Sequence, residues 1–273
     1  MMINNESKNN AIVPTNKTLV LVYKTGGATS KRSSVDELLK YQLNVFNIIA
    51  IRMFAINKAK VAFAVLGTEE SCSGDPAKRA GNEFLFQMQA MGNIEVLNAY
   101  NIKKIVTACP HCFNTLKNEY PELGGNYDVI HHSSYLQMLI NEGKLVVEGG
   151  GEFKGKKITF HDPCYLGRAN NVYEAPRDLI RKLDAELVEM KNCKKRGLCC
   201  GAGGAQMFKE PEKGKKDINV ERTEQALETQ PDIIAAGCPF CNTMMTDGIK
   251  NKEKESEIKV LDIAELIANA DDL

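Results

Sequence analysis

Cysteine is the residue type through which this sequence can do chemistry. The chain of 273 residues has nine cysteines, all of them after residue 71: Cys72, Cys109, Cys112, Cys164, Cys193, Cys199, Cys200, Cys238 and Cys241. The N-terminus is polar and lacks the apolar core of a signal peptide, so we expect a cytosolic protein. Because thiols stay reduced in the cytosol, grouped cysteines indicate metal or redox chemistry rather than disulfides.

Five of these cysteines come from three segments of the C-terminal half. Cys164 is followed by a Cys-Cys-Gly triplet that ends at Gly201, and then by a Cys-Pro-x-Cys motif at Cys238 and Cys241. The spacing of that motif lets two thiolates face one ion from a single turn. Gly201 and the glycines after it let backbone N–H groups approach sulfur. Sites made of thiolates select zinc or iron–sulfur clusters.

Three chemistries are compatible with this spacing. An iron–sulfur cluster can use all five thiolates, whereas tetrahedral zinc in a structural module has no use for the fifth. A metal-free dithiol oxidoreductase would use Cys238 and Cys241 alone. We expect His161, three residues before Cys164, to lie beside the metal or cofactor, and Cys193, in a charged loop, to be uninvolved.

The cysteine motifs occur twice along the chain. Residues 102–118 and 231–247 each contain an apolar β-branched run, a Cys-Pro-x-Cys motif and an amphipathic stretch. Upstream, Ser-Cys-Ser-Gly around Cys72 matches Cys-Cys-Gly at Cys199, and the gap from glycine to the next motif is 34 residues in one case and 36 in the other. Matched motifs at nearly equal spacing predict an internal duplication.

The elements that position these motifs alternate between strands and helices. Short apolar runs predict strands at residues 18–23, 61–66, 104–108, 127–131, 157–161, 186–190 and 232–236. Apolar spacing predicts helices at 82–99, through Phe84, Leu85, Met88, Met91 and Ile94, at 217–229 and from Ile263 onward. The alternation predicts an α/β fold of two similar domains, each a mostly parallel sheet flanked by helices. Sites in such sheets form where strands end and helices begin.

Composition sets the domain limits and excludes some partners. The Gly- and Lys-rich residues 141–157 predict a boundary, with a disordered tail at 1–16, a degenerate N-terminal domain at 17–148 and a C-terminal domain at 149–273. The 35 Lys+Arg balance the 35 Asp+Glu and Trp is absent, which argues against nucleic-acid binding. The most apolar stretch is too short for the roughly 20 residues of a membrane span.

The second unit resembles the CCG cysteine-rich domain. The resemblance is carried by ITFHDPCYLGR, LCCGAGGAQMF and AAGCPFCNTMMTDG. This domain occurs twice in the catalytic subunit of heterodisulfide reductase, and it occurs in iron–sulfur subunits of glycolate and lactate oxidases. The resemblance implies a [4Fe-4S] cluster, non-cubane in the heterodisulfide reductase relatives, and the matching ligands here are Cys164, Cys199, Cys200, Cys238 and Cys241.

The first unit, with TACPHCFNTLKNEYP, departs from the pattern of the domain. Ser73 stands where the second cysteine of the pair belongs, and no cysteine precedes Cys72. Cys72, Cys109 and Cys112 could hold zinc or a second cluster with a fourth ligand from Ser, His or a partner. They could equally be an unoccupied remnant.

The resemblance also implies partners. Many relatives carry a ferredoxin-like segment and some add a membrane domain, and this sequence shows neither. A cluster protein without its own relay must take electrons from another protein. We therefore expect an electron-transfer subunit of a heterodisulfide reductase-like oxidoreductase complex. Its partner would be a ferredoxin-like or flavoprotein subunit, or a membrane-bound protein at the inner face of the plasma membrane.

Overall fold

Two parallel β-sheets form the framework of the part of the chain that the structure describes. The computed structural model describes residues 18–21, 59–210 and 213–270, and only the backbone of 18–21. The first sheet has the order β2-β1-β3-β4 and the second β6-β5-β7-β8, with every pairing parallel. The strands are β1 Thr18–Leu21, β2 Phe63–Ala64, β3 Lys104–Thr107, β4 Asp128–His131, β5 Lys157–Phe160, β6 Glu186–Leu187, β7 Ile233–Ala236 and β8 Lys259–Asp262.

Helices connect the strands, as parallel pairing requires. In the described residues they are α1 Asp75–Arg79, α2 Glu83–Ala99, α3 Pro110–Asn114, α4 His132–Asn141, α5 Cys164–Gly167, α6 Glu174–Arg181, α7 Ile218–Leu227, α8 Pro239–Asn251 and α9 Ile263–Asn269. A π-helical turn, Thr115–Glu119, continues α3. None of these helices is both long and apolar enough to cross a bilayer. The predicted α/β class with parallel sheets is confirmed.

The predicted strands lie where the sequence indicates, but most are shorter. Residues 22 and 23 of the first predicted strand lie outside the described residues. Strand β8 is an addition to the predicted set, because only Val260 and Leu261 are apolar between the charged Lys259 and Asp262. Strand β7 is buried throughout, which matches its continuous apolar sequence, and β3 is buried from Ile105 to Thr107.

Helix α2 forms as predicted but buries a different face. Of the five apolar residues that predict it, Phe84, Met88 and Met91 are 75%, 56% and 60% exposed, and Leu85 is also exposed. Only Ile94 of that set is buried. The buried face is formed by Phe86, Ala90, Asn93, Ile94 and Leu97. The helix is thus confirmed, and these side chains rather than the outer stripe meet the first sheet.

One apolar core joins the two sheets. Val106 of β3 and Leu139 of α4 share a cluster with Phe160 of β5, Leu179 of α6 and Ile267 of α9. Every one of these side chains is buried. Because the same core fills the space between both sheets, the loops at their strand ends are held in a fixed relation.

A buried ion network anchors the loop before Cys164. The guanidinium of Arg177 on α6 donates to both carboxylate oxygens of Asp162, at 2.7 and 2.9 Å, and to Glu189 at 2.5 and 2.9 Å. The Arg177 side chain is fully buried. Burial alone would raise the pKa of Glu189, but the hydrogen bonds and charge of Arg177 hold it below its ordinary value. The network fixes the segment that leads from β5 to Cys164.

We expect Arg177→Met to lower the free energy of unfolding by about 3 kcal/mol or more, because it leaves two carboxylates without their buried cation. Urea unfolding of wild type and variant measures this. Because the pKa of Glu189 is depressed on folding, its stabilisation is present above the unfolded carboxyl pKa and is lost as the pH falls through the folded value. The difference in the free energy of unfolding between wild type and Arg177→Met should therefore become smaller in acid.

Arg181→Met is the matched control, because Arg181 lies on the same helix but is half exposed and pairs with Asp178 at the surface. We expect Arg181→Met to lower the free energy of unfolding by less than about 1 kcal/mol. Equal losses for the two variants would show that the buried network does not anchor this region.

Candidate metal centre

The cysteine motifs follow the C-terminal ends of three buried strands. Cys109 follows β3 and Cys238 follows β7, and each adopts an extended conformation immediately before a helix that begins with proline. Cys164 begins the short helix α5 after β5. Proline suits the first position of a helix because its missing N–H has no partner there. Strands β5 and β7 are parallel neighbours in the second sheet, so Cys164 and Cys238 lie at the same edge of that sheet. Cys109 follows a strand of the first sheet, which packs on the same core.

Five sulfur atoms of the second unit form an unbroken series of contacts. Cys164 contacts Cys199, Cys199 contacts Cys200, Cys200 contacts Cys241, and Cys241 contacts Cys238. Cys238 and Cys241 are buried, whereas Cys164 and Cys199 are partly exposed. Three segments far apart in sequence thus bring their sulfur atoms together. Cys193 is not part of this series and instead lies near Glu189 and Asp162.

The series continues into the first unit. Cys109 contacts both Cys112 of its own motif and Cys238 of the other motif. Cys72 and Cys112 both lie near the buried phenol of Tyr120, whose pKa is raised by burial and, to a smaller extent, by these two sulfur atoms. The hydroxyl of Tyr120 donates to the carbonyl of Ser73 at 3.0 Å. The sulfur atoms of the two Cys-Pro-x-Cys motifs are therefore in contact with each other through Cys109 and Cys238.

The glycine loop after Cys200 presents backbone N–H groups to sulfur. Gly201 donates to Sγ of Cys199 at 3.3 Å, Gly203 donates to the same sulfur, and Ala202 donates to Cys200. Gly201 has φ +93°, a conformation that strains any residue with a side chain. A Cβ at Gly203 would lie 3.8 Å from Sγ of Cys199. Glycine at this position keeps the space before the sulfur atoms open.

The thiol acidities show how crowded the sulfur atoms are. Hydrogen bonds from Cys164 and Cys200 lower the pKa of Cys199, and the same bonds raise the pKa of Cys164 and bring that of Cys200 to about 12. Burial raises the pKa of Cys238, and hydrogen bonds to its neighbours raise that of Cys241. Thus only one of the five favours the anionic form. Holding all five as thiolates requires several positive charges, which fits a polynuclear metal group.

His161 lies against the sulfur atoms of the second unit. A ring nitrogen of His161 lies within 4.8 Å of the sulfur atoms of Cys200 and Cys241. Nδ1 accepts a hydrogen bond from Nε of Arg222 at 3.0 Å. Complete burial, followed by the charge of Arg222, lowers the pKa of His161 to about 3. Sequence reasoning misses Arg222, because a lone arginine in a charged helical stretch carries no signal of burial.

A second histidine, also missed, joins the two units. His111 stands inside the first Cys-Pro-x-Cys motif, and its Nδ1 lies 2.9 Å from a carboxylate oxygen of Asp75. Its ring packs 4.3 Å from that of Tyr165 and 5.6 Å from that of Phe240, both from the second unit. Burial opposes its protonation, but the hydrogen bond to Asp75 and the charge of Cys109 raise its pKa. Its position between the two cysteines of the motif was the one sequence feature that could have indicated a role at the site.

Residues at the ends of the outer strands add two more contacts between the units. Nε2 of His131, at the end of β4, donates to the carbonyl of Gly237 at 3.1 Å. Nε2 of His132 lies 3.1 Å from a carboxylate oxygen of Asp262, at the end of β8. Gly237 directly precedes Cys238, so these contacts fix the second motif relative to the first unit.

Comparisons with known proteins show which family carries these cysteine motifs. The profile of the CCG family, described as a cysteine-rich domain, matches residues 52–117 and 158–246. The chain is 46% identical over 221 residues to the EtfAB:quinone oxidoreductase of Syntrophomonas wolfei, covering 79% of this chain and 30% of that protein. It is 47% identical over 216 residues to the probable iron-sulfur-binding oxidoreductase FadF of Bacillus subtilis, again covering 79% and 30%.

A third relative is an archaeal protein. The chain is 37% identical over 226 residues to a subunit of the dihydromethanophenazine:CoB–CoM heterodisulfide reductase of Methanosarcina barkeri, covering 79% of this chain and 53% of that subunit. The chain thus spans about a third to a half of the length of these relatives. The matched profile covers more than half of the chain and includes every one of its cysteines within its two segments. The chain belongs to the family of proteins built from the CCG cysteine-rich domain.

Proposed function

We propose that this chain is the iron–sulfur electron-transfer subunit of a heterodisulfide reductase-like oxidoreductase complex. The observation that carries the proposal is the unbroken contact series of five sulfur atoms from Cys164 to Cys238. Relatives that are 37% to 47% identical bear the names of an iron–sulfur oxidoreductase, a quinone oxidoreductase and a heterodisulfide reductase subunit. A bound cluster would supply one-electron transfer.

The ligands that we assign to the cluster are the five cysteines of the second unit: Cys164, Cys199, Cys200, Cys238 and Cys241. Five thiolates exceed the four that tetrahedral zinc uses, and their mutual repulsion favours a group with several cations. The N–H groups of Gly201 and Gly203 would lower the negative charge density on sulfur. The composition [4Fe-4S], cubane or non-cubane, follows from the family resemblance and belongs to this proposal.

We extend the proposal to a second metal site in the first unit. Cys109 and Cys112 are in contact, and Cys72 lies near the same tyrosine as Cys112. The contact of Cys109 with Cys238 would place an ion or cluster held here directly beside the first. Zinc or a second cluster would suit three thiolates with one further ligand.

We also infer that the two units arose by duplication, with the boundary between residues 148 and 149. The two sheets have the same strand order when β1 is matched to β5, β2 to β6, β3 to β7 and β4 to β8. The third strand of each unit leads into a Cys-Pro-x-Cys motif. Residues on both sides of this boundary pack in one apolar core, so the boundary separates two units of sequence but not two separate cores.

The electron partners in this proposal are proteins with their own redox groups. A ferredoxin-like or flavoprotein subunit would deliver electrons, and Cys164 and Cys199, partly exposed, mark the side on which a cluster would be accessible. The quinone in the name of one relative is a lipid-soluble type of acceptor. A complex that used one would work at a membrane surface, which we place on the cytoplasmic side.

Anaerobically purified or reconstituted protein should be brown and contain about four irons per chain from the five-cysteine site. Iron and zinc analysis, with low-temperature electron paramagnetic resonance of the dithionite-reduced protein, measures this. Colourless protein that binds zinc and no iron would support a structural zinc module instead.

Replacement of single cysteines tests the ligand assignment. We expect Cys200→Ser and Cys241→Ser each to lower the iron content by roughly half or more, because a buried site leaves water little room to replace a lost thiolate. Cys193→Ser is the matched control, since Cys193 lies outside the sulfur series, and it should leave the iron content unchanged. A dithiol oxidoreductase predicts the contrasting result, in which Cys238→Ser abolishes thiol exchange while Cys164→Ser has no effect.

A further inference from the structure

Arg222 is a buried cation that no carboxylate contacts within the described residues. Its side chain is fully buried, and no carboxylate oxygen of that part of the chain lies within 4.0 Å of it. Nη1 donates to the carbonyl of Asn192 at 2.8 Å and to the side-chain oxygen of Gln225 at 2.9 Å, whereas Nη2 has no hydrogen-bond partner there. Arg177, equally buried, is held by two carboxylates.

This difference between the two arginines needs a physical cause. Removing an unpaired charge from water costs several kcal/mol, so a buried cation requires negative charge nearby. Burial lowers the pKa of Arg222, and the groups that oppose this are the more distant Asp162 and the sulfur atoms of Cys193, Cys241 and Cys200. A thiolate-bound cluster carries net negative charge, whereas neutral thiols do not. The position of Arg222 is therefore explained by an anionic metal centre.

The hydrogen bond between Arg222 and His161 also fixes the tautomer of His161. Nε of an arginine always carries a proton, so Nδ1 of His161 can only accept in the 3.0 Å contact. The single imidazole proton must then be on Nε2. Nε2 is buried and has no hydrogen-bond partner among the described residues. A ring nitrogen of His161 and the sulfur atoms of Cys200 and Cys241 nevertheless lie within 4.8 Å of one another, which is close enough for all three to contact one metal centre.

We propose that His161 is a hydrogen-bond donor to the metal centre and not a ligand, and that Arg222 is the residue that positions it. This inference rests on the proposed function. One-electron reduction, with the electron supplied by the partner protein, adds one negative charge to the centre. The Nε2–H group and the cation behind it stabilise that charge in the reduced form more than in the oxidised form. The pair therefore raises the reduction potential.

Variants at His161 separate a donor from a ligand. His161→Leu removes the N–H group, and His161→Gln is the matched variant because its amide can still donate. We expect both to keep the iron content of wild type. At a fixed solution potential, His161→Leu should lower the ratio of reduced to oxidised centre about tenfold, equal to about 59 mV for a one-electron couple. His161→Gln should retain most of the wild-type ratio.

Variants at Arg222 test its positioning role. Arg222→Lys keeps the charge and should change the potential less than Arg222→Met, which should shift it in the same negative direction as His161→Leu. Redox titrations followed by electron paramagnetic resonance measure these potentials on the loaded protein. Should Arg222→Met fail to fold, the comparison of Arg222→Lys with the His161 variants still tests the proposal.

Electron–nuclear double resonance on the reduced protein gives a readout independent of potential. Protein reconstituted in ordinary and in heavy water should differ in several exchangeable proton couplings, because backbone N–H groups also donate to the sulfur atoms. His161→Leu should abolish one of these couplings, and the ring should give only a weak nitrogen coupling. A strong nitrogen coupling, or loss of iron in His161→Leu as large as in Cys200→Ser, would show that His161 is a ligand and overturn the inference.

The two levels of the hypothesis fail in different ways. Wild-type protein without iron would reject the proposed function and the effect on potential with it. Wild-type protein with a reducible cluster whose potential is the same in His161→Leu would reject this inference and leave the proposed function intact.

Discussion

Repulsion between sulfur anions is the constraint on which the rest of the structure depends. Seven cysteine side chains, from Cys164 through Cys238 to Cys112, stand in one continuous series of contacts. Without metal, hydrogen bonds distribute the protons so that the pKa is lowered at Cys199 and at Cys109, one in each unit. Adjacent thiolates at such distances repel strongly in a buried environment. Protons on the neighbouring thiols relieve this repulsion while metal is absent, and bound cations must take their place when the thiols ionise.

The parallel sheets provide that rigidity. The buried strands β5 and β7 end at the same edge of the second sheet, and the helix after β3 in the first sheet donates the N–H of Cys112 to the sulfur of Cys109. The loop before Cys164 is tied by Arg177 to its two carboxylate partners. The apolar core common to both sheets prevents the two sets of loops from moving apart. Packing and ion pairs away from the cysteines thus hold their sulfur atoms close together, an arrangement that would be unfavourable for the ionised cysteines alone.

The sequence was sufficient for the framework and for the order of the motifs. Apolar runs followed by Cys-Pro-x-Cys predict strand ends correctly, because a buried parallel strand needs a continuous apolar sequence. It was insufficient for Arg222, since nothing in the residues around it distinguishes a buried arginine from an exposed one. The exposed stripe of Phe84 and Met88 shows the same limit, because periodicity identifies a helix but not the neighbour it meets. Contacts between units, such as that of His131 with Gly237, depend on how the sheets pack.

The contact between Cys109 and Cys238 has a consequence for the independence of the halves. Each half covers a fully buried sulfur of the other, so a C-terminal half produced alone would expose Cys238 to solvent and to dioxygen. Iron–sulfur groups are destroyed by oxidants that reach them, and their lifetime in air depends on such shielding. The first unit would therefore shield Cys238 even if it bound no metal itself.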